Sequence, residues 1–173
     1  FAAKSVIFQD NARIVAQRLG DRLGQSVIID NRPGANGGVA ASLLASTPAD
    51  GYQFLVTDGS MLSINPAIYS KLTYDPQKDF VPVALVARAP LFLAVHPKVP
   101  ATTLAEFIAY VKSRPGQVNY GSSGIGSTHH LTIEAMKTAL GLDMVHVPFK
   151  GTGQSVPALV GGQVEVLMSA YPS

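Results

Sequence analysis

The sequence contains no cysteine and no tryptophan, and only 14% of its residues are charged. Without cysteine the chain can form no disulfide bond, no thiolate metal site and no cysteine nucleophile. Lysine and arginine are not clustered and the net charge is only +2, so the sequence gives no sign of a nucleic-acid interface. No apolar run approaches the ~20 residues that a membrane-spanning helix needs. These absences favour a globular protein with a sparsely charged surface.

Hydrophobic residues make up 47% of the 173, which is enough for a sizeable core. Short apolar runs alternate with segments of helical spacing along the whole length. Strands are predicted over residues 26–30, 52–57, 81–87, 91–95, 118–120, 144–147 and 163–169, and helices over 10–23, 39–46, 104–111, 128–140 and 154–160. Residues 65–69 are interpreted as a loop. This order predicts an α/β fold with mostly parallel sheets in two domains, residues 1–91 and 92–173.

Three loops share one plan, in which a strand is followed by glycine with serine or threonine and then by a helix. They cover residues 57–60, 121–128 and 149–153. Glycine lets the backbone approach a ligand closely, and the first turn of a helix carries unpaired N–H groups at the positive end of the helix dipole. Loops that follow parallel strands meet at one edge of the sheet. Together the three predict a shared polar site for an anion, although each taken singly is equally explained as a tight turn.

The stretch Asn119-Tyr-Gly-Ser-Ser-Gly-Ile-Gly-Ser-Thr-His-His130 matches no phosphate-binding motif. It lacks the Gly-Lys-Ser/Thr ending of a P-loop, and its glycine spacing is not a dinucleotide fingerprint. A hydrolase or an acyl-transfer enzyme is the alternative, with Ser122 or Ser123 as the nucleophile and His129 as the base. No Gly-x-Ser-x-Gly nucleophile elbow is present, and paired histidines at a helix start more often cap or pack than catalyse. We therefore prefer binding without reaction, and His146, in a β-branched run, is interpreted as structural.

Several motifs follow one another in an order typical of a single family. Among them are Asn31-Arg-Pro-Gly-Ala-Asn-Gly37, Ile64-Asn-Pro-Ala-Ile-Tyr69, Asn119-Tyr-Gly-Ser-Ser-Gly124, His146-Val-Pro-Phe-Lys-Gly151 and Leu159-Val-Gly-Gly-Gln163. The chain resembles the substrate-binding proteins of tripartite tricarboxylate transporters, the Bug-type receptors. The resemblance covers essentially the whole chain.

The resemblance implies a two-domain Venus-flytrap receptor of the type II periplasmic-binding-protein class, located in the periplasm and without enzymatic activity. Such receptors hold a small carboxylate between their domains and deliver it to the permease subunits of a membrane transporter. Their ligands include dicarboxylates, tricarboxylates, acidic amino acids and aromatic acids, held by backbone amides, hydroxyls and waters with few salt bridges. A monomer without cofactor or metal is expected.

The resemblance also implies where the ligand contacts lie. The candidate ligand-binding residues are Thr57, Asp58, Gly59, Ser60, Ser122, Ser123, Gly126, Ser127, Thr128, His129, Lys150, Gly151, Thr152 and Tyr171. The loop assigned to residues 3–10 departs from the family pattern, because Lys4 stands where a glycine is expected. The first strand is expected before Phe1, and further chain beyond Ser173 is expected to return to the first domain.

Overall fold

The computed structural model describes residues 2–5 and 9–170, with side chains from Ala12 onward. The chain divides into two compact units, Phe1–Ala87 and Arg88–Ser173, and each unit has its own sheet. The domains inferred from the sequence, residues 1–91 and 92–173, stay a proposal for the whole protein. In the part of the chain that the structure describes, no helix combines the length and the apolar character needed to cross a bilayer.

Unit 1 is built on a three-stranded parallel sheet. Its strands are β1 (Ala2–Ser5), β2 (Ile28–Asn31) and β3 (Gln53–Val56), in the order β2-β1-β3. Helix α1 (Gln9–Leu23) connects β1 to β2, and α2 (Gly38–Ala45) connects β2 to β3 after a 3₁₀ turn at Ala35–Gly37. Two short helices, α3 (Ser60–Ser63) and α4 (Asn65–Ile68), follow β3. The prediction of a parallel α/β sheet is confirmed for this unit.

The structure corrects three predictions in unit 1. The first strand was expected before Phe1, and residues 3–10 were assigned to a loop, but β1 spans Ala2–Ser5 and pairs with both β2 and β3. Small residues and a lysine carry little β-propensity, so this central strand has no signal in the sequence. Residues 65–69 were interpreted as a loop, but Asn65–Ile68 forms a helical turn with proline in its first turn, where a missing N–H costs nothing.

The third correction concerns residues 81–87, which form no strand. Val81, Val83 and Leu85 have the alternation of a half-buried strand, yet they are 85%, 77% and 73% exposed. A ladder needs a partner strand, and the described residues supply none at this segment. The proline at position 82 also removes one backbone donor.

Unit 2 carries a four-stranded sheet in the order β4-β7-β5-β6. The strands are β4 (Leu91–Val95), β5 (Val118–Ser122), β6 (Met144–Pro148) and β7 (Val166–Ala170), and only β4 runs antiparallel to its neighbour. Helices α5 (Leu104–Lys112), α6 (Thr128–Leu140) and α7 (Thr152–Val160) connect the strands. The mostly parallel sheet predicted for this half is confirmed.

Two helix ends show how the sequence sets the elements of unit 2. Thr103 caps α5 in a capping box, in which its hydroxyl accepts from the Glu106 N–H and the Glu106 carboxylate accepts from the Thr103 N–H. Helix α6 ends at Gly141, whose left-handed conformation is typical of a helix C-terminus. The core beside these helices is formed by buried side chains that include Phe107, Val111 and Ile133.

Candidate functional site

The loops after β5 and β6 lie side by side at the carboxyl edge of the unit 2 sheet. The parallel ladder pairs Ser122 with Pro148, the last residues of the two strands. The Phe149 N–H then donates to the Ser122 carbonyl at 3.0 Å, which joins the glycine loop (residues 121–128) to the lysine loop (residues 149–153). Two of the three predicted loops are therefore neighbours. The third, residues 57–60, belongs to unit 1 and follows β3.

Two glycines, Gly121 and Gly126, allow the backbone path of the glycine loop. A Cβ built on Gly121 would lie 3.2 Å from Val164 Cγ2 and 3.3 Å from both Leu167 Cδ1 and a Phe149 ring carbon. Ordinary carbon contacts are about 3.5–4.0 Å, so only glycine lets β5 pass this close to the core. Gly126 has a φ of 75°, a left-handed conformation that other residues adopt at a cost.

Helix α6 begins directly at the end of the glycine loop. Ser127 is its N-cap, with a hydroxyl that accepts from the His130 N–H at 3.2 Å and a side chain that is only 2% exposed. With 13 residues, α6 is long enough for its dipole to place partial positive charge at this end. The loop thus presents the backbone geometry that favours an anion.

Two serines of the glycine loop each contact a histidine ring. Ser122, fully buried at the end of β5, lies 2.7 Å from His146 Nε2, and Ser123 lies 2.7 Å from Nδ1 of the buried His129. The second pair includes two residues of the hydrolase alternative. In a serine hydrolase the nucleophile faces Nε2 while a carboxylate orients Nδ1, whereas here the serine itself occupies Nδ1. The pair can fix the loop without forming that arrangement.

Three stacked rings, which we call the histidine stack, lie next to the glycine loop and are formed by Tyr120, His146 and His130. Ring centroids are 4.8 Å apart for Tyr120 and His146 and 4.1 Å apart for His146 and His130, with nearly parallel planes. Burial lowers the pKa of His146 to about 4 and also lowers the pKa of His130. The interpretation of His146 as structural agrees with this packing, but the sequence did not reveal the stack, because it depends on the ladder that pairs Tyr120 with His146.

The lysine loop leads into α7. Lys150 is exposed, and its backbone N–H donates to Gln154 Oε1 at 3.0 Å. Gly151, the N-cap, makes no side-chain cap bond, and Thr152 is the first helical residue. Sequence reasoning missed Ser155, which is 1% exposed and whose Oγ has no hydrogen-bond partner among the described residues. The sequence signal for Ser155 is its position about one turn into a helix that follows a glycine.

In the predicted loop of unit 1, the Asp58 carboxylate accepts hydrogen bonds from within the loop. Asp58 Oδ1 accepts from the Ser60 N–H at 3.0 Å and from the Ser60 hydroxyl at 2.7 Å, in the first turn of α3. Thr57 Oγ1 accepts from the Gly59 N–H at 3.4 Å. The ligand roles assigned to these four residues stay predictions, and Tyr171 lies outside the described residues.

With this geometry in place, comparison with known proteins identifies the family. The profile of the tripartite tricarboxylate transporter family receptor matches residues 11–173. The chain belongs to this receptor family. It spans about half the length of the curated relatives it matches.

Solved structures of related proteins support the same assignment. Rpa4515 of R. palustris, solved with adipate, is 37% identical, with a TM-score of 0.94 over 99% of this chain and 60% of its own. MatC of Rhodopseudomonas palustris, solved with bound malate, is 32% identical, with a TM-score of 0.86 over 98% of this chain and 60% of its own. The periplasmic binding protein BugD is 27% identical, with a TM-score of 0.88 over 98% of this chain and 58% of its own.

The family assignment bears on two predictions. The α/β fold of the type II periplasmic-binding-protein class is confirmed by the structural neighbours. The family consists of solute receptors, not enzymes, so the hydrolase interpretation of Ser122, Ser123 and His129 is not favoured.

Proposed function

We propose that this chain is the ligand-binding part of a periplasmic receptor that takes a small carboxylate, first of all a dicarboxylate, and delivers it to the permease of a tripartite tricarboxylate-type transporter. The observation that carries the proposal is the pair of joined loops at the carboxyl edge of the unit 2 sheet, each of which leads into a helix N-terminus. The adipate of Rpa4515 and the malate of MatC, both dicarboxylates, support the ligand class.

The chemistry of the two loops suits a carboxylate held by hydrogen bonds. Across residues 121–128 and 149–153 the only residue with a full charge at neutral pH is the exposed Lys150, while hydroxyls and glycines dominate. Hydrogen bonds to a charged group contribute about 1.5–3 kcal/mol each, so a few of them account for useful affinity without an ion pair. Binding of this kind depends only weakly on ionic strength, in contrast to binding by a basic patch.

The candidate residues divide by how their side chains are used. Ser122 and Ser127 are buried, with hydroxyls that hold the loop, so we assign them to its shape. Ser123 and Thr128 are half-buried, and we assign their hydroxyls to the ligand carboxylate. The Ser123 hydroxyl is also bonded to His129 Nδ1, and a hydroxyl can serve both partners because it donates and accepts. Gly126, whose N–H donates to His130 Nδ1, is likewise assigned to the shape of the loop. The roles proposed for the remaining residues are a backbone contact at Gly151, side-chain contacts at His129, Lys150 and Thr152, and a second set of contacts at Thr57, Asp58, Gly59 and Ser60.

A thermal-shift screen of the full-length protein tests this function. Adipate and malate represent the dicarboxylates, citrate the tricarboxylates, aspartate the acidic amino acids and benzoate the aromatic acids, and acetate serves as the minimal carboxylate. A ligand at about 100 times its Kd stabilises the folded state by about 2.7 kcal/mol, which raises the Tm by several degrees. The absence of a shift with every one of these acids would contradict the proposal.

Two substitutions connect the shift to the glycine loop. Thr128→Val keeps the shape of the side chain but removes its hydroxyl, and Ser123→Ala removes the other assigned hydroxyl. Thr138→Val is the matched control, because Thr138 lies exposed on the same helix and, among the described residues, its hydroxyl bonds only to the Glu134 carbonyl. The ligand-induced shift is expected to fall for the first two variants and to persist in the third.

Delivery to a permease and a periplasmic location belong to the same proposal. They are supported by the family description and by the periplasmic character of BugD. Uptake of the identified acid by cells that lack the gene, with and without the restored full-length protein, measures delivery. Uptake that does not depend on the protein would contradict this part. Esterase turnover that disappears in His129→Ala would instead favour the hydrolase.

A further inference from the structure

The histidine stack is given no role in the proposed function, although both of its histidines bond to the glycine loop. Tyr120 lies on β5, His146 on β6 and His130 on α6, and the glycine loop connects β5 to α6. Each histidine contacts the loop through one ring nitrogen. The chemistry of these nitrogens decides what the stack can do.

His130 binds the loop at Gly126. The Gly126 N–H donates to His130 Nδ1 at 3.2 Å, and only an unprotonated ring nitrogen can accept a hydrogen bond. The geometry therefore requires a neutral ring with its proton on Nε2. Protonation would place two N–H groups against each other and remove this bond.

His146 supports the loop two residues earlier. Its Nε2 lies 2.7 Å from Ser122 Oγ, and the same hydroxyl accepts from the Gly124 N–H at 3.2 Å. A hydroxyl can both donate and accept, so this contact survives a change of ring charge. Of the two contacts, only the one made by His130 requires an uncharged ring.

The surroundings of the two rings oppose a positive charge on His130. His146 stacks on it with centroids 4.1 Å apart, and two imidazolium ions at that distance would repel strongly. Glu134 and Lys137 face the stack from α6 and are paired with each other at 2.7 Å, while the Tyr120 hydroxyl bonds to Glu134. Burial lowers the pKa of both histidines, Lys137 lowers it further, and Glu134 opposes these effects.

We propose that His130 and His146 are positioning residues that hold the glycine loop in one conformation, and that the bond from Gly126 requires His130 to be uncharged, so that acid pH releases Gly126 and loosens the loop. The consequence for carboxylate affinity rests on the function proposed above. The loop itself can be measured without any ligand.

The first experiment follows the ligand-free, full-length protein by NMR. The ring nitrogen shifts report the His130 tautomer directly, and amide exchange reports the Gly126 N–H. At about pH 7 we expect the Nε2–H tautomer and a protected Gly126 amide, with protection lost as His130 protonates below its ordinary pKa. A protonated or Nδ1–H ring at about pH 7, or protection of Gly126 that does not change when His130 titrates, would overturn the proposal.

Substitutions separate positioning from bulk packing. His130→Asn keeps an acceptor near the position of Nδ1, whereas His130→Ala removes it, and His96→Ala is a histidine control outside the stack. We expect His130→Ala to speed exchange at Gly126 by about tenfold, and we expect His130→Asn to restore most of the protection. Equal exchange in the asparagine and alanine variants, with amides of β5 unchanged in both, would overturn the role of the acceptor.

The second experiment measures the affinity of the full-length protein for adipate and malate at about pH 7 and about pH 5. Protonation of the acids themselves affects every variant equally, so the informative quantity is the difference between wild type and His130→Asn. We expect wild type to lose more affinity than His130→Asn on acidification, because only the wild-type acceptor is removed by protonation. Equal losses would contradict the coupling. Failure of both acids to bind would count against the proposed function, while the NMR measurement would still decide the positioning role.

Discussion

The close contact at Gly121 provides a quantitative test of the packing beneath the glycine loop. In Gly121→Ala the new methyl group would lie 3.2–3.3 Å from Val164, Leu167 and Phe149 at once. No single rotamer change relieves three neighbours, and Val164 and Leu167 belong to a buried cluster. Overpacking of this kind costs about 1–3 kcal/mol, so we expect the unfolding free energy of unit 2 to fall by that amount.

Urea unfolding followed by far-UV circular dichroism measures the effect, with Tm from a thermal scan as a second readout. For a unit of this size a loss of 1 kcal/mol lowers the Tm by about 4–8 °C. Because Phe149 donates its N–H to Ser122, a shift of Phe149 should also reduce the ligand-induced stabilisation.

Gly153→Ala is the matched control, since a Cβ there meets nothing within 4 Å and the residue lies in the first turn of α7. Alanine in a helix is favoured over glycine by up to about 1 kcal/mol, so this variant should be neutral or slightly stabilised. Equal stability of wild type and Gly121→Ala would refute the packing argument, as would an equal loss in both variants.

Three further predictions concern stability. Thr103→Ala removes the α5 cap and should cost about 1 kcal/mol, measured by urea unfolding; no loss would show that the capping box contributes nothing. Asn65→Ala should cost about 2 kcal/mol or more by the same assay, because the buried amide donates to Asn36 O and Tyr74 Oη and accepts from Asn36 Nδ2; a neutral effect would contradict this role. Burial lowers the pKa of His146 from 6.5 to about 4, so the unfolded chain binds its proton first. The contribution of the neutral His146 ring to the unfolding free energy should therefore be fully present above pH 6.5 and be lost as the pH falls towards 4. His146→Gln should flatten that part of a Tm-against-pH series.

Local signals in the sequence predict much of unit 2. The sequence predicts a helix over residues 128–140 from its helical spacing, and α6 has the same limits, Thr128–Leu140. The glycine loop was located because a run of glycines and hydroxyls between a strand and a helix is a local pattern. Local patterns of this kind predict the structure correctly where tertiary contacts favour the same conformation.

Features that depend on pairing could not be predicted. β1 is central only because β2 and β3 both pair with it, and its own residues carry no strand signal. Residues 81–87 have the strand signal but lack a partner among the described residues. The histidine stack requires the β5–β6 register, which places Tyr120 opposite His146 and brings both next to His130 on α6. Sequence spacing does not contain that register.

The most direct measurement of the central claim is calorimetric titration of the full-length protein with adipate and malate, in wild type, Thr128→Val and Thr138→Val. We expect at least one acid to bind wild type with one-to-one stoichiometry and a Kd that changes little with salt. Thr128→Val should weaken that binding by about tenfold or more, and Thr138→Val should leave it unchanged. Binding of neither acid, or equal affinity in wild type and Thr128→Val, would contradict a dicarboxylate held at the start of α6.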